Sequence, residues 1–417
     1  MNNQLKVDFK KTLENLKLSK ENIKLREKNL SQFIESGFPN KRVEDWKFSD
    51  LNQIIFSNIK DLSFYNNFPE TVNIDKSIYI NNFKHNKITF INGVISNIDF
   101  TSEEKNKIEI IKNLDFKEDL IVTNSLVSLN SALISNYIKI TVKENYSLNN
   151  PLIIYNITNQ ELNSKALNIR TDITLEKNSN LKLINLFDDT SENNFININQ
   201  KFNIGRDSIL KSYKIDQREN SNIKYFYNNI DLEKNSISEN FIFSAGSKFI
   251  KNEVNCNLND QFSSAFINGI INLKNSQHHE IKTNVNHLAE NTKSYQLIKS
   301  VLNDNSKGVY QGKIFVDSKA QKTNGYQLSK ALLLNENTEF DGKPELEIYA
   351  DDVKCSHGST SGNLDQDAIF YLMSRGLNYE QSRKLLINGF LLDVVEKITD
   401  PEIRDLIKNI MKIKEWI

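Results

Sequence analysis

From Leu5 to Glu35 the apolar residues Phe9, Leu13, Leu16, Ile23, Leu30, Phe33 and Ile34 recur at near-helical spacing among Lys and Glu, which predicts a helix. Gly37 and Pro39 stop it. Lys41 to Leu51 follows no simple period, and its Trp46 and Phe48 suit a segment that docks the helix onto the next unit. From about Ser77 to Tyr349 the period drops to two. β-Branched and aromatic residues alternate with Asn, Asp, Ser and Lys in short runs such as Tyr137 to Val142, Leu152 to Ile157, Leu167 to Leu175, Leu181 to Leu186 and Ile223 to Leu232. No amphipathic stretch there is long enough for βαβ crossovers, so the zone reads as all-β. Helical spacing returns over Asp365 to Arg375, Tyr379 to Ile398 and Pro401 to Trp416. Asn378 with Gln381 has the form of a capping box, and Asp400 before Pro401 that of an N-cap with a first-turn proline. The faces Ile369/Leu372/Met373 and Leu385/Leu386/Phe390/Val394 suit packing on one another; core packing is the default reading for most of these residues, and the surplus on Leu391, Leu392 and Val395 could also meet a partner. The chain thus divides into a helical region at 1–76, a β core at 77–350 and a helical domain at 351–417.

The β zone carries a faint repeat. Leu175-Glu176-Lys177-Asn178-Ser179, Ile204-Gly205-Arg206-Asp207-Ser208 and Leu232-Glu233-Lys234-Asn235-Ser236 share the order apolar, any, basic, Asn/Asp, Ser, and Leu273-Lys274-Asn275-Ser276 is a looser fourth copy. A period near 30 residues with strand-turn-strand content fits stacked coils that each bury one face against their neighbours. A right-handed parallel β-helix core flanked by α-helical regions is expected rather than a propeller, whose Gly and Trp signatures are missing. A β-sandwich with recurrent Asn-Ser turns is the alternative.

Composition narrows the function. At 417 residues the chain is too long for one small domain. Lys+Arg and Asp+Glu each total 53, so the formal net charge is zero and the global basic field of a nucleic-acid binder is missing. Two cysteines, Cys256 and Cys355, make no disulfide framework, and the polar start has no secretory pattern, which points to a reducing cytoplasm. No run of 18 apolar residues exists to span a bilayer.

Chemistry is sparse. Phosphate-binding glycine loops, G-x-S-x-G and H-E-x-x-H do not occur, and there is no C-x-x-C pair for zinc. The histidines are His85, His278, His279, His287 and His357; His278 and His279 would face opposite sides of a strand and read as satisfied turn positions. One constellation stands apart, Glu347-Ile348-Tyr349-Ala350-Asp351-Asp352-Val353-Lys354-Cys355-Ser356-His357-Gly358. On an extended backbone Cys355 and His357 share one side, half of a metal site, with Lys354 placed to lower the thiol pKa. A buried Cys beside a surface His fits the same spacing. The alternation Leu346/Ile348/Ala350 would carry Asp352 and Lys354 inward, so the strand must bend or shift parity near Asp351.

That segment, continued through Ser359-Thr360-Ser361-Gly362-Asn363-Leu364-Asp365 to Phe370-Tyr371-Leu372-Met373-Ser374-Arg375-Gly376, closely resembles the C-terminal signature of the SufB/SufD family of iron–sulfur cluster assembly scaffolds, in its SufD form. Arg42 to Leu51 is similar to the family's N-terminal Glu-Asn/Asp-Trp-Lys cluster, and Asn388-Gly389-Phe390 also matches. The resemblance implies a β-helix and a non-catalytic scaffold that pairs through that β-helix with a SufB-like subunit. It also implies that the C-terminal helical domain docks a SufC-like ABC ATPase, which owns the ATP chemistry. His357 would then take part in forming a transient iron–sulfur cluster at the subunit interface, with Cys355 nearby. One Cys and one His cannot hold a four-ligand cluster, so none is expected to stay on the isolated chain. Two other readings compete: a polysaccharide-active β-helix using Asp351 and Asp352 as acid and base, and a purely structural β-solenoid.

Overall fold

A computed structural model of the chain describes residues 2–16, 18–65, 78–101, 104–113, 124–135 and 137–413. The expected boundary at 76/77 and the last three residues of the expected helix Pro401 to Trp416, with Ile417, lie outside them.

Successive strands of the β zone alternate between two sheets. The first holds β1 (Ser63–Phe64), β4 (Ile108–Asn113), β5 (Tyr137–Val142), β7 (Lys165–Leu175), β9 (Phe195–Ile204), β11 (Asn220–Leu232), β13 (Ser247–Leu258), β15 (His278–His287), β17 (Lys307–Val316) and β19 (Glu339–Ile348). The second holds β2 (Asn86–Ile91), β3 (Val94–Asp99), β6 (Leu152–Thr158), β8 (Asn180–Asp189), β10 (Ile209–Asp216), β12 (Ile237–Ser244), β14 (Ser264–Leu273), β16 (Lys293–Leu302), β18 (Thr323–Leu333) and β20 (Val353–Gly362). Within each sheet a strand pairs in parallel with the one a coil earlier; among the described residues only β2/β3 and β4/β5, at the N-terminal end, are antiparallel. The molecule is a parallel β-solenoid of about eight turns with helices at both ends. Its lumen is apolar at the centre, filled by residues such as Ile140, Ile173, Phe202, Ile230, Val254 and Ile281.

The repeat in the sequence is the corner leading from the first sheet to the second. Asn178, Asp207, Asn235, Phe262, Asn291 and Lys322 each take φ between 56° and 61°, and each is followed by a buried Ser or Thr. The hydroxyls of Ser179, Ser236, Ser263, Thr292 and Thr323 donate back to the carbonyl three residues earlier, at 2.6–3.0 Å. Asn and Asp tolerate the left-handed conformation and the hydroxyl closes the turn, which is why that pair recurs. The fourth copy was misplaced: Leu273 to Ser276 is a corner from the second sheet to the first, and the true fourth corner is Leu258 to Ser263, one residue longer.

Three further expectations are corrected. The single N-terminal helix is two, α1 (Asn2–Asn15) and α2 (Lys20–Ser36), because the Ser19 side chain accepts from the Asn22 N–H and restarts the helix. The zone read as all-β holds α4 (Ser125–Leu133), every residue of which is buried except Ser125; Arg26 of α2 donates to the carbonyls of Ala132 and Ile134 at its end. The solenoid continues past residue 350, since β20 pairs with β18 over its whole length.

α1, α2, α3 (Leu51–Asn58) and α4 cover the outer face of the first sheet, with Phe33, Trp46, Leu51 and Leu129 against Phe195, Ile223 and Phe249. α6 (Tyr379–Val395) and α7 (Pro401–Ile410) cover the second sheet, with Leu391, Val394, Val395, Ile403 and Ile407 on Tyr213, Phe241 and Leu297. Leu391 and Val395 are thus spent on the solenoid wall, as the core-packing reading expects, and not left for a partner; Leu392 packs partly buried beside them. The capping box of Asn378 with Gln381 and the Asp400 cap form as expected. No helix among the described residues is long and apolar enough to cross a membrane.

Charges are buried where the second sheet turns back to the first. Lys224 Nζ pairs with Asp189 and, at 2.5 Å, with Asp216 Oδ2, all three shielded from solvent, and Thr158 Oγ1 donates to Asp189 at 2.7 Å. Lys214 Nζ stands 3.7 Å over the Phe226 ring, and burial holds its pKa well below the ordinary lysine range. Removing one member of a buried ion cluster strands the others in a low dielectric. Lys224→Met is accordingly expected to cost about 3–5 kcal/mol in urea unfolding; a loss under about 1 kcal/mol, in the range of exposed pairs, would contradict a dry site.

Candidate functional site at the open end of the solenoid

The last coil is made by β19 and β20, and among the described residues each pairs with a strand on one side only. The chain crosses between them at Tyr349 to Asp352, where the Asp352 N–H donates to Gln321 Oε1 at 2.9 Å and Lys322 N–H donates to the Asp352 carbonyl at 2.6 Å. The parity break expected near Asp351 is this corner: Leu346 and Cys355 lie on different strands. Asp351 and Asp352 sit exposed side by side in the turn, which is not the facing arrangement an acid/base pair needs.

On β20, Cys355 and His357 share the inward face as expected. Cys355 is opposite Gly325 and packs, half-buried, beside Ile314, Val316, Ala320 and Ala350. Gly325 makes the room: a Cβ there would come 3.4 Å from the Cys355 sulfur. Burial raises the thiol pKa, and a hydrogen bond with the Gly325 backbone only partly offsets it. The expected lowering by Lys354 is thus overturned, because Lys354 is exposed on the opposite face and a neighbouring cation in water is screened.

His357 lies opposite Gln327 and is exposed at the end of the stack. Below it is a polar floor that pattern reading missed. Tyr310 Oη lies 3.2 Å from both Gln296 Oε1 and Gln327 Oε1, and Gln327 Nε2 donates to the Glu345 carbonyl at 3.1 Å. Gly312 is required beside them, since a Cβ there would fall 2.2 Å from Gln327 Oε1. The available signal was the occurrence of Gln296, Gln327 and Tyr310 at inward strand positions. No group of three or more His, Cys, Asp or Glu side chains able to hold a metal occurs among the described residues.

The remaining candidates are structural. His279 is buried, with Nδ1 2.9 Å from Ser244 Oγ and Nε2 2.7 Å from the Ser247 carbonyl. His278, on the opposite face of β15, is 3.0 Å from Glu280 Oε1. Both lie on a strand rather than in a turn. His287 is buried between Thr292 and Ser294, and His85 lies 3.0 Å from Tyr155 Oη far back along the stack. Cys256 is sealed in the lumen, its pKa pushed up to about 12 by burial.

A second surface is bare. Helix α5 (Gln366–Ser374) buries Ile369 but leaves Phe370 75 % and Tyr371 61 % exposed, with Met373 beside them. Large apolar side chains exposed this close together on one short helix are uncommon on a surface that meets only water.

Residues 155–390 match the family model described as SUF system FeS cluster assembly, SufBD core domain. The chain belongs to the SufBD family. It is 25 % identical over 381 residues, 90 % of this chain and 88 % of the relative, to the iron–sulfur cluster assembly protein SufD of Escherichia coli (strain K12). Two shorter matches are the chloroplastic protein ABCI7 of Arabidopsis thaliana, 44 % identical over 19 % of this chain and 17 % of the relative, and the SufD protein of Bacillus subtilis (strain 168), 34 % over 20 % and 19 %. SufBD membership gives the chain a role in SUF iron–sulfur cluster assembly, as the C-terminal signature implied.

Two measurements follow from these burials. At neutral pH iodoacetamide should label Cys355 more slowly than an unperturbed thiol and leave Cys256 untouched until the chain unfolds, as read by peptide mass spectrometry. Burial also holds His279 down to about 3 and His287 down to about 4. The unfolded chain, with ordinary histidines near 6.5, binds these protons first, so their stabilisation is full above about pH 6.5 and drains away as the pH falls toward 4 and then 3. The urea midpoint should fall between pH 7 and pH 4.5, and less steeply in His279→Gln; an unchanged slope in that variant would show that His279 is not held neutral.

Proposed function

We propose that this SufBD protein is a SufD-type scaffold subunit that is not itself an enzyme, acts in the cytoplasm, and lends the last coil of its solenoid to a SufB-like partner. The observation that carries this reading is the coincidence of two unpaired parallel edges, β19 and β20, with His357 and Cys355 at the same open end. Unpaired backbone donors and acceptors on an edge invite a further strand, and a second solenoid supplies one without distortion. The cluster is cargo here. His357, exposed and held over the Gln327 floor, offers one imidazole nitrogen, and Cys355 stands two residues away with a thiol kept largely protonated by burial. Iron–sulfur clusters are held mostly by thiolates, so the remaining ligands belong to the partner and the cluster leaves with it or passes on. The exposed Phe370/Tyr371/Met373 face of α5 is the proposed seat of a SufC-like ABC ATPase.

Anaerobic co-expression with SufB- and SufC-like subunits tests each part. His357→Ala should leave the heteromeric complex intact by size exclusion while its visible cluster absorption is lost. Phe370→Asp should release the ATPase and keep the SufB-like subunit. Full absorption in His357→Ala would remove that residue from the site, and ATPase retention in Phe370→Asp would place its docking elsewhere.

A further inference from the structure

Three consecutive residues between α2 and α3 touch five consecutive strands of the first sheet. Trp46, 3 % exposed, packs on Tyr225 of β11 with ring centroids 5.6 Å apart. The Asp45 carbonyl accepts from Lys251 Nζ of β13 at 2.7 Å and from Gln311 Nε2 of β17 at 3.5 Å, and the Asp45 carboxylate pairs with Lys282 Nζ of β15 at 2.7 Å. Glu44 pairs with Lys343 of β19. At about 4.8 Å between neighbouring strands this contact set runs across the coils, perpendicular to their hydrogen-bond ladders' strands, and ends on the edge strand itself.

The amines that receive the segment are not ordinary surface groups. Lys251 is fully buried, between Glu280 at 2.5 Å and the Trp46 ring at 4.5 Å, and Lys282 is nearly so, with Glu253 at 3.0 Å. Exposed ion pairs contribute little singly, so the Glu44 contact alone would do little. Trp46 is the anchor: it is desolvated and brings the Asp45 and Glu44 carboxylates over the lysine row. The last strand of a sheet, laddered on one side, opens most readily, and β19 is that strand.

We infer that Glu44, Asp45 and Trp46 act as a splint across the coils, positioning residues that hold β17 and β19 closed at the open end. This deepens the proposed function, since it rests on that end being the partner-facing edge, but the splint itself can be measured without a partner.

The test is hydrogen exchange on the isolated full chain, comparing Trp46→Ala and the double variant Glu44→Gln/Asp45→Asn with the parent. In Trp46→Ala, amides of β17 and β19 are expected to exchange about tenfold faster or more; in the double variant, where the Asp45 carbonyl still holds Gln311 and only the carboxylate pairs with Lys282 and Lys343 are lost, those of β19 are expected to exchange about two- to fivefold faster. In both, β7 and β9 keep parental rates, because a local opening is read only where it occurs. The double variant keeps the Trp46 anchor, so it answers even where Trp46→Ala folds poorly. Unchanged β19 exchange in the double variant, or an acceleration spread evenly along the stack, overturns the splint. Capture of the SufB-like subunit is then measured on the same proteins. Faster β19 exchange with undiminished capture supports the splint and removes the partner-edge reading instead.

Discussion

Every strand in the body of the solenoid must hydrogen-bond to the strand one coil earlier, in parallel and almost without slippage, and the rest of the structure follows from that ladder. Between β11 and β13 the register breaks only near Asn220, and from β13 to β19 it does not break at all. Coil length therefore varies only at the corners: 26 residues separate Ile223 from its partner Phe249, and 32 separate Lys307 from Glu339. The ladder also dictates which residues recur. A corner must reverse the chain in few residues, which selects a left-handed Asn or Asp followed by a hydroxyl, and each inward position must fit above the same position one coil below.

The two walls and the two ends meet different fates. Both outer faces are clothed by helices: apolar side chains such as Phe249 and Phe241 needed covering, and helices from the two chain termini supply the matching faces. At the N-terminal end the antiparallel strands β3 and β4 finish the sheets. At the other end nothing in the described chain does so, and the residues with coordinating chemistry, Cys355 and His357, stand there. Burial explains the contrast among the histidines. His279 and His287 have their ring nitrogens matched to hydroxyl or carbonyl groups in the interior, whereas His357, on the inward face of the last strand, is exposed because no further coil covers it among the described residues.

Much of this was legible in the sequence because it is local. Tyr137 to Val142 was placed to the residue, since a short run of aromatic and β-branched residues marks a strand by itself, whatever buries it; here only Lys139 is exposed. The caps at Asn378 and Asp400 were legible for the same reason. What escaped depended on partners distant in the chain. Ser19 divides a helix that apolar spacing makes look continuous, and α4 is nine residues of mixed Ser, Asn and Leu whose burial is decided by Arg26 and by Asn197 of β9, which donates to the Leu126 carbonyl. Leu273 to Ser276 resembled the other corners in composition, while only the stacking shows that it turns the opposite way. At the site, the shared face of Cys355 and His357 followed from parity; the protonation of Cys355 did not, because it is governed by Gly325 and Ile314 across the coil rather than by Lys354 next door.

A stack of near-identical coils has an indexing problem, because its apolar columns would accept a displacement by one whole coil almost as well as the native alignment. The buried Lys224 removes that degeneracy. Its neighbours one coil away on either side are Ile196 and Ile250, so a one-coil displacement sets an isoleucine where the ammonium belongs and leaves Asp189 and Asp216 dry and uncompensated. The cluster thus works as an address, costly everywhere except at one coil number, and it lets a repetitive chain count its own turns.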